Sequence, residues 1–255
     1  RLALQRAGLV RPAPKRSAHR KKRPRRPMAG MMLHQDGSRH AWLPGDARAY
    51  DLIATVDDAT SELYSAFLVA EEGTASSLRA LGEVIAAKGL FCSLYTDRGS
   101  HYFHTPKAGE KVARNAQTQV GRALSQLGIE HIAAYSPEAR GRSERAFGTH
   151  QGRLPQELAL AGITTMAQAN QYLAKVYRPA FNAEFAQPAA EAGSAFVPWA
   201  GGRLDDILCE QFERTVGADN CVRFETLNLQ IPADRHRCHY VKTKVHVHRY
   251  ASGEL

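Results

Sequence analysis

An α/β fold, a mixed five-stranded sheet flanked by helices, is predicted by three features of the sequence. Two strand-like runs, DLIATVDDAT (51–60) and LYSAFLVAEE (63–72), are joined by a short Asp/Thr/Ser turn, the pattern of an antiparallel hairpin. Further on, apolar runs at 90–96 and 129–135 alternate with amphipathic helical segments, the pattern of parallel strands linked by crossovers. Apolar residues make up 44% of the 255-residue chain. None of their runs approaches the roughly 18 needed to span a bilayer.

Each element has its own warrant. Residues 2–9 (LALQRAGL) read as the end of a helix closing near Gly8. MMLHQDGS (31–38) reads as a short strand broken at Gly37. In TASSLRALGEVIAAKG, Thr74 is the expected cap; Leu78, Leu81, Val84 and Ile85 recur at helical spacing, and Gly89 ends the helix. The strand at 90–96 follows, with Cys92 expected as a small core residue. HTPKAGEKVARN (104–115) is polar and irregular. A helix is expected over Thr118–Leu127, with Val120, Leu124 and Leu127 on one face, then the strand IEHIAAY (129–135). After Pro137 a helix is expected near Arg142–Leu160, another over 165–177, and a Pro- and Ala-rich stretch (186–199) closes the region. The order strand, strand, strand, helix, strand, helix, strand, helix is that of an RNase H-like architecture.

After residue 205 the texture changes. VRFETLNLQI and HYVKTKVHVHRY alternate apolar and polar residues. In the second, Val241, Thr243, Val245 and Val247 share one side, and Lys242, Lys244, His246, His248 and Tyr250 share the other. This predicts a small β domain, SH3-like and barrel-forming. The expected division is therefore 1–27 as a helix end and basic linker, 28–204 as the catalytic core, and 205–255 as the β domain.

Charge is concentrated at one end. Residues 1–27 hold eleven Lys/Arg and no acids, leaving 23 basic against 25 acidic residues in the other 228, so the overall +9 comes from this segment. KRSAHRKKRPRRP (15–27) has no apolar periodicity and is expected to be extended. Such a segment binds polyphosphate through counterion release, so Lys21, Lys22, Arg23, Arg25 and Arg26 are expected DNA contacts. Four cysteines without a CxxC, and no secretory apolar segment, fit a reducing cytoplasm. The sequence opens on Arg1 and closes on Leu255 in mid-phrase, as expected of a piece of a longer protein.

The chemistry is expected in carboxylates. SLYTDRGSHY ends an apolar strand on Asp97 and turns at once, at the sheet end where open α/β folds place their sites. Asp36, in HQDGS, lies on the first strand, which should pair directly with the strand before Asp97. Glu144, in SPEARGRSERAF, lies one turn into the last helix of this series. Three hard oxygen donors suit Mg²⁺, with Mn²⁺ as a substitute. Two such ions about 4 Å apart activate the attacking oxygen and stabilise the leaving one at a phosphodiester. Arg98, Arg140, Arg142 and Arg145 flank these acids as phosphate clamps. Asp57 and Asp58 sit at the opposite sheet end, Glu138 is a weaker third ligand, and Glu71 and Glu72 are expected to end a strand distant from the site.

LHQDGS, TVDDATSE, SLYTDRGSHY, AYSPEARGRSERAFGTHQGRLPQEL and IPADRHRCHYVK together resemble integrase-type DDE transposases, in wording like the ISNCY group of bacterial insertion sequences. The resemblance runs from about residue 28 onward. It implies an RNase H-like core shared with retroviral integrases, divalent metal, and cutting and joining at transposon ends. It carries Asp36, Asp97 and Glu144 over as the catalytic and metal-binding triad. It also implies that 1–9 is the remnant of a helix-turn-helix domain. One departure stands out: 46 residues separate Asp97 from Glu144, more than in the simplest integrase pattern, and the 104–115 segment is the place for the extra length.

The expected partners are double-stranded DNA, both transposon ends and target, and further copies of the chain on that DNA, with no membrane. The expected activity is metal-dependent cleavage and strand transfer. A nuclease of the same fold that never joins, and a catalytically silent DNA-binding derivative, are the alternatives.

Overall fold

The computed structural model describes residues 24–105, 117–135, 141–232, 235 and 237–255, and among these the side chains of 141–144 are outside the description. The central sheet has five strands in the order β3-β2-β1-β4-β5. β1 (Leu33–His40) pairs antiparallel with β2 (Tyr50–Asp57), and β2 pairs antiparallel with β3 (Leu63–Val69). β1 pairs parallel with β4 (Ser93–Thr96), and β4 parallel with β5 (Glu130–Ala133). The chain enters both parallel-paired strands by helical crossovers: α1 (Thr74–Lys88) leads from β3, over β2 and β1, to β4, and α2 (Gln119–Gln126) leads from β4 to β5. The expected mixed sheet is the observed one.

Both faces are covered, so the strands alternate between two cores rather than between core and water. On one face Leu33 and Leu94 meet Leu78, Leu81, Val84 and Ile85 of α1 and Val120 and Leu124 of α2. On the other, Leu52, Ala54, Ala66 and Leu68 meet Phe147, Leu154 and Leu158 of α3 (Gly141–Leu160). Behind α3 lie α4 (Met166–Tyr172), a π-helical turn (Leu173–Tyr177) and α5 (Arg178–Phe185), which add Leu173, Tyr177 and Phe181 to that core. Buried Trp42 ties the ends of β1 and β2 together, its indole N–H donating to the Ser38 and Tyr50 carbonyls.

Several local expectations are corrected. β1 does not break at Gly37 but runs on to His40, with Gly37 paired to Ile53. The cap of α1 is Gly73, not Thr74: Ser76 Oγ accepts from the Gly73 N–H at 2.9 Å and donates to its carbonyl at 3.0 Å. β4 starts at Ser93 rather than Leu90, because Leu90 pairs instead with Val197. That phase leaves Phe91 and Ser93 buried and turns Cys92 outward, so it is an exposed thiol and not a core residue.

VRFETLNLQI is two strands, not one. β7 (Cys221–Phe224) folds back on β8 (Leu227–Gln230) through Glu225, which takes φ 54°. β6 (Glu210–Thr215) pairs with β9 (Lys244–Arg249), and the expected alternation holds, with Val247 buried while Lys244 and His246 face out. Val216, Val222, Phe224 and Val247 form a small separate core. Among the described residues these strands make two two-stranded sheets rather than one closed barrel. This region is held to the main core by α2, where Gln119 and Gln211 exchange hydrogen bonds and Arg122 donates to the Ile207 and Cys209 carbonyls.

Residues 24–31 are also docked. Arg26 N–H donates to Asp58 Oδ2 at 2.7 Å and Gly30 N–H to Asp57 Oδ2 at 2.8 Å. The two acids of the β2–β3 turn therefore anchor the chain that precedes β1. No helix among the described residues is long and apolar enough to cross a membrane.

Leu154 is fully buried on α3, whereas Leu160 at its end is 90% exposed. Leu154→Ala is expected to cost about 2–5 kcal/mol of unfolding free energy, and Leu160→Ala under about 0.5. Urea denaturation of the two variants checks this.

Candidate active site

Asp36 lies mid-strand in β1 and is almost wholly buried. Its cross-strand neighbour is Ala54, which belongs to the core under α3, while the next residue, Gly37, pairs with Ile53, which packs against Phe67 and Ala80 of α1. Side chains alternate along a strand, so Asp36 shares the α3 face with His34 and Ser38. Contacts agree: Gln151 of α3 donates its amide to Ser38 Oγ at 3.0 Å.

Asp97 is the first residue past β4. The parallel register sets Leu33 beside Leu94 and His34 beside Tyr95, whose rings lie 5.0 Å apart. Continued by two residues, the same register sets Asp36 level with Asp97, on the same face. Neighbouring strands are about 4.8 Å apart, the spacing at which side chains level with one another on one face are neighbours. The turn after Asp97 is self-made: Asp97 Oδ1 accepts from Gly99 N–H at 2.8 Å, and Tyr102 and Phe103 both donate to the Gly99 carbonyl. Thr96 Oγ1 donates to the Asp97 carbonyl and lies 3.0 Å from His131 Nε2 of β5, and Phe103 stacks on that ring.

The remaining expected site residues are placed as follows. Glu144 occupies the fourth position of α3, seven residues before Gln151, and its side chain is outside the described residues, as is that of Arg142. Glu138, Arg140, Lys21, Lys22 and Arg23 also lie outside the described residues. Arg98 stands over the exposed ring of Tyr135, 5.3 Å from its centroid, at the mouth of the sheet. Arg145 lines a cavity of about 170 Å³ with Arg25, His34, Asp57 and Phe181. Arg25 donates to the Asp58 and Ala59 carbonyls, and partial burial pushes its pKa down. Among the described residues, no three His, Cys, Asp or Glu side chains are grouped as a metal site. Asp36 and Asp97 lie on adjacent strands, and the side chain of the third expected ligand is outside the described residues.

One carboxylate was misjudged from sequence. Glu72 was expected to be distant from the site, but two antiparallel reversals return β3 to the direction of β1. The C-terminal ends of β1, β3 and β4 therefore lie together, and Glu72 sits against Gly37 and beside His101 at 3.5 Å. Counting strand directions, rather than residues, gives the signal for it.

Two curated proteins align with nearly the whole chain. The y4bF protein of Sinorhizobium fredii, which carries a transposase name, is 32% identical over 253 residues, 98% of this chain and 54% of its own length. The transposase for insertion sequence IS1202 of Streptococcus pneumoniae is 29% identical over 235 residues, 91% of this chain and 50% of its own. The chain is a relative of insertion-sequence transposases. It spans about half the length of these curated relatives. Among solved structures, the simian T-cell lymphotropic virus intasome in complex with the PP2A regulatory subunit B56 gamma aligns with a TM-score of 0.50. That alignment covers 94% of this chain and 86% of the other at 15% identity, which is a likeness of fold. No family model matches the chain.

Two imidazoles of this region are buried neutral. Burial first, and then the nearby His101, push the His131 pKa down from 6.5 to about 4. Burial first, and then Arg153, do the same for His150, whose Nδ1 lies 2.8 Å from Tyr177 Oη. An unfolded imidazole takes up its proton near 6.5, so between these values the unfolded chain binds more protons than the folded one. The stability these groups confer is whole above pH 6.5 and is lost as pH falls to about 4. Urea midpoints at a series of pH values check this, and His131→Gln/His150→Gln should flatten the acid limb.

Proposed function

We propose that the chain carries the catalytic core of a DNA transposase that cleaves and joins phosphodiesters at insertion-sequence ends, with Asp36, Asp97 and Glu144 as its acids. The observation that carries this reading is the parallel ladder of β1 with β4, Leu33 beside Leu94 and His34 beside Tyr95, which continued in the same register sets Asp36 level with Asp97 beneath α3. Glu144 shares a helical stripe with Gly148 and Gln151, and Gln151 touches Ser38, two residues beyond Asp36. Its helix position therefore lies along the strand that bears Asp36.

The donor set fits a hard divalent cation: carboxylate oxygens, no thiolate, and a carbonyl-fixed turn behind Asp97. Asp36, Asp97 and Glu144 would hold Mg²⁺, with Mn²⁺ as a substitute. The chemistry that such an ion supplies when bound is activation of an attacking oxygen and neutralisation of charge at the phosphodiester.

The protein's own part is placement. Asp97 is held by its turn and by the Thr96–His131 contact, and Asp36 by the ladder to β2, so the two acids keep their separation while the strand of DNA moves. Arg98, over Tyr135 past the end of β5, is the described cation assigned to phosphate oxygens, whereas Arg145 lines the cavity with Arg25 and Asp57. The basic segment through Arg26 adds sequence-blind affinity for the duplex. A donor end and a target must meet at one site, and two ends at one complex, so the working form is an assembly of copies on DNA.

The test is Mg²⁺-dependent nicking of duplex DNA bearing the element's terminal repeats, followed by joining of pre-cut 3′-OH ends to a plasmid. Asp97→Ala and Asp36→Asn should each lower both rates on the order of a thousandfold or more, with the double variant no worse, because the acids act as a unit. Equal nicking by Asp97→Ala would remove Asp97 from the mechanism. Nicking without joining would mark a nuclease.

A further inference from the structure

The face of β1 opposite the proposed acids carries a second polar arrangement, and it reaches the turn that holds Asp97. Glu72, just past β3, lays its carboxylate against Gly37, where a Cβ would collide with Oε2. Only the absence of a side chain at Gly37 lets the carboxylate cross β1 there. Beyond it lie two residues of the Asp97 turn. Tyr102, fully buried, accepts from Gln35 Nε2 at 3.0 Å and points its hydroxyl at Glu72 Oε1, 3.5 Å away. His101 Nε2 lies 3.5 Å from the same oxygen, with its ring 4.0 Å from that of Tyr102.

His101 in turn bears on Asp97. A Cβ on Gly99 would lie 3.0 Å from His101 Cε1 and 3.1 Å from Asp97 Oδ1, so ring and carboxylate stand over the same glycine. Glu72 and His101 are both mostly shielded from water, at 23% and 16% side-chain exposure, and His101 Nε2 stands beside the carboxylate in contact rather than hydrogen-bonded to it. Gln35, the residue before Asp36, is fixed from both ends, by Tyr102 Oη and by Thr55 Oγ1 donating to its Oε1. One connected set of contacts thus touches the neighbours of both acids.

We propose that Glu72 and His101 are a positioning pair that sets the Asp97 carboxylate relative to Asp36. The pair rests on the reading of Asp36 and Asp97 as catalytic acids. Neither residue is asked to touch DNA. Glu72 holds the imidazole across the β1 glycine, and the imidazole limits where the Asp97 carboxylate turns.

The test uses Glu72→Gln, His101→Gln and their double variant. Three readouts apply: nicking kinetics with Mg²⁺, metal-free thermal melting, and terbium(III) luminescence titration of the protein without DNA. Each single variant should lower kcat about tenfold, leave the KM for DNA unchanged within a factor of about two, and weaken terbium binding about tenfold. The double variant should be no worse than either single, because the two residues act through one contact. Glu72→Asp keeps the charge but withdraws it from Gly37, and should fall between wild type and Glu72→Gln should the larger change impair folding.

Multiplying losses in the double variant, or a lowered melting temperature with unchanged terbium affinity and kcat, would overturn the pair. Wild-type protein that neither nicks nor binds terbium in an Asp97-dependent way would overturn the underlying reading instead. Wild-type protein that does both, with Glu72→Gln indistinguishable from it, would overturn only the pair.

Discussion

The arrangement depends on the parallel pairing of β1 with β4. These strands share only a short ladder, Leu33 with Leu94 and His34 with Tyr95, yet that ladder fixes the level of everything beyond it. It is held from both sides: Leu33 and Leu94 are fully buried under α1 and α2, and Ser93 Oγ donates to the Met31 carbonyl at 2.8 Å. A slip of one residue would turn Asp97 to the opposite face from Asp36 and put Leu94 among polar neighbours. The same apolar contacts that stabilise the sheet therefore select the register that puts Asp36 and Asp97 on one face.

Burial of Asp36 has a cost that the surroundings offset. A carboxylate on a covered strand loses hydration, and its Oδ1 recovers a 3.1 Å bond from the Gly37 N–H. The α3 side of the sheet is also cut by polar side chains, Gln151 and Ser38 among them, where a purely apolar helix face would expel a charge. The opposing face has the same character near its end, through Gln35, Thr55, Tyr102 and Glu72. Polar groups thus gather toward one end of an otherwise apolar sandwich. The other end, around Asp57 and Asp58, spends its carboxylates on anchoring the residues that lead into β1.

Much of this was legible in the sequence, and the reasons differ by element. The hairpin of β2 and β3 and the helices α1 and α2 carry strong periodicity and tight turns, so type and order followed directly. The pairing of β1 with β4 followed from order and crossover rules, and with it the placement of Asp36 on the strand beside the one that leads to Asp97. What escaped were features decided by tertiary contact. Gly37 looked like a strand breaker because its reason for being glycine is a side chain 35 residues away. Cys92 looked like core because its phase depends on Leu90 leaving the sheet to pair with Val197. The β7–β8 turn shows in the sequence only as a slip of phase, with apolar residues at 222 and 224 before it and at 227, 229 and 231 after it, and no Gly, Pro or Asn marks the reversal.

The fit of Glu72 against Gly37 also bears on how this sheet end is able to drift over generations. The atoms that a side chain at 37 would meet are the tip of Glu72, a flexible and partly exposed side chain able to swing aside. Change at 37 is therefore felt less by the backbone than by the contacts the carboxylate makes with Tyr102 and His101, which it would have to leave.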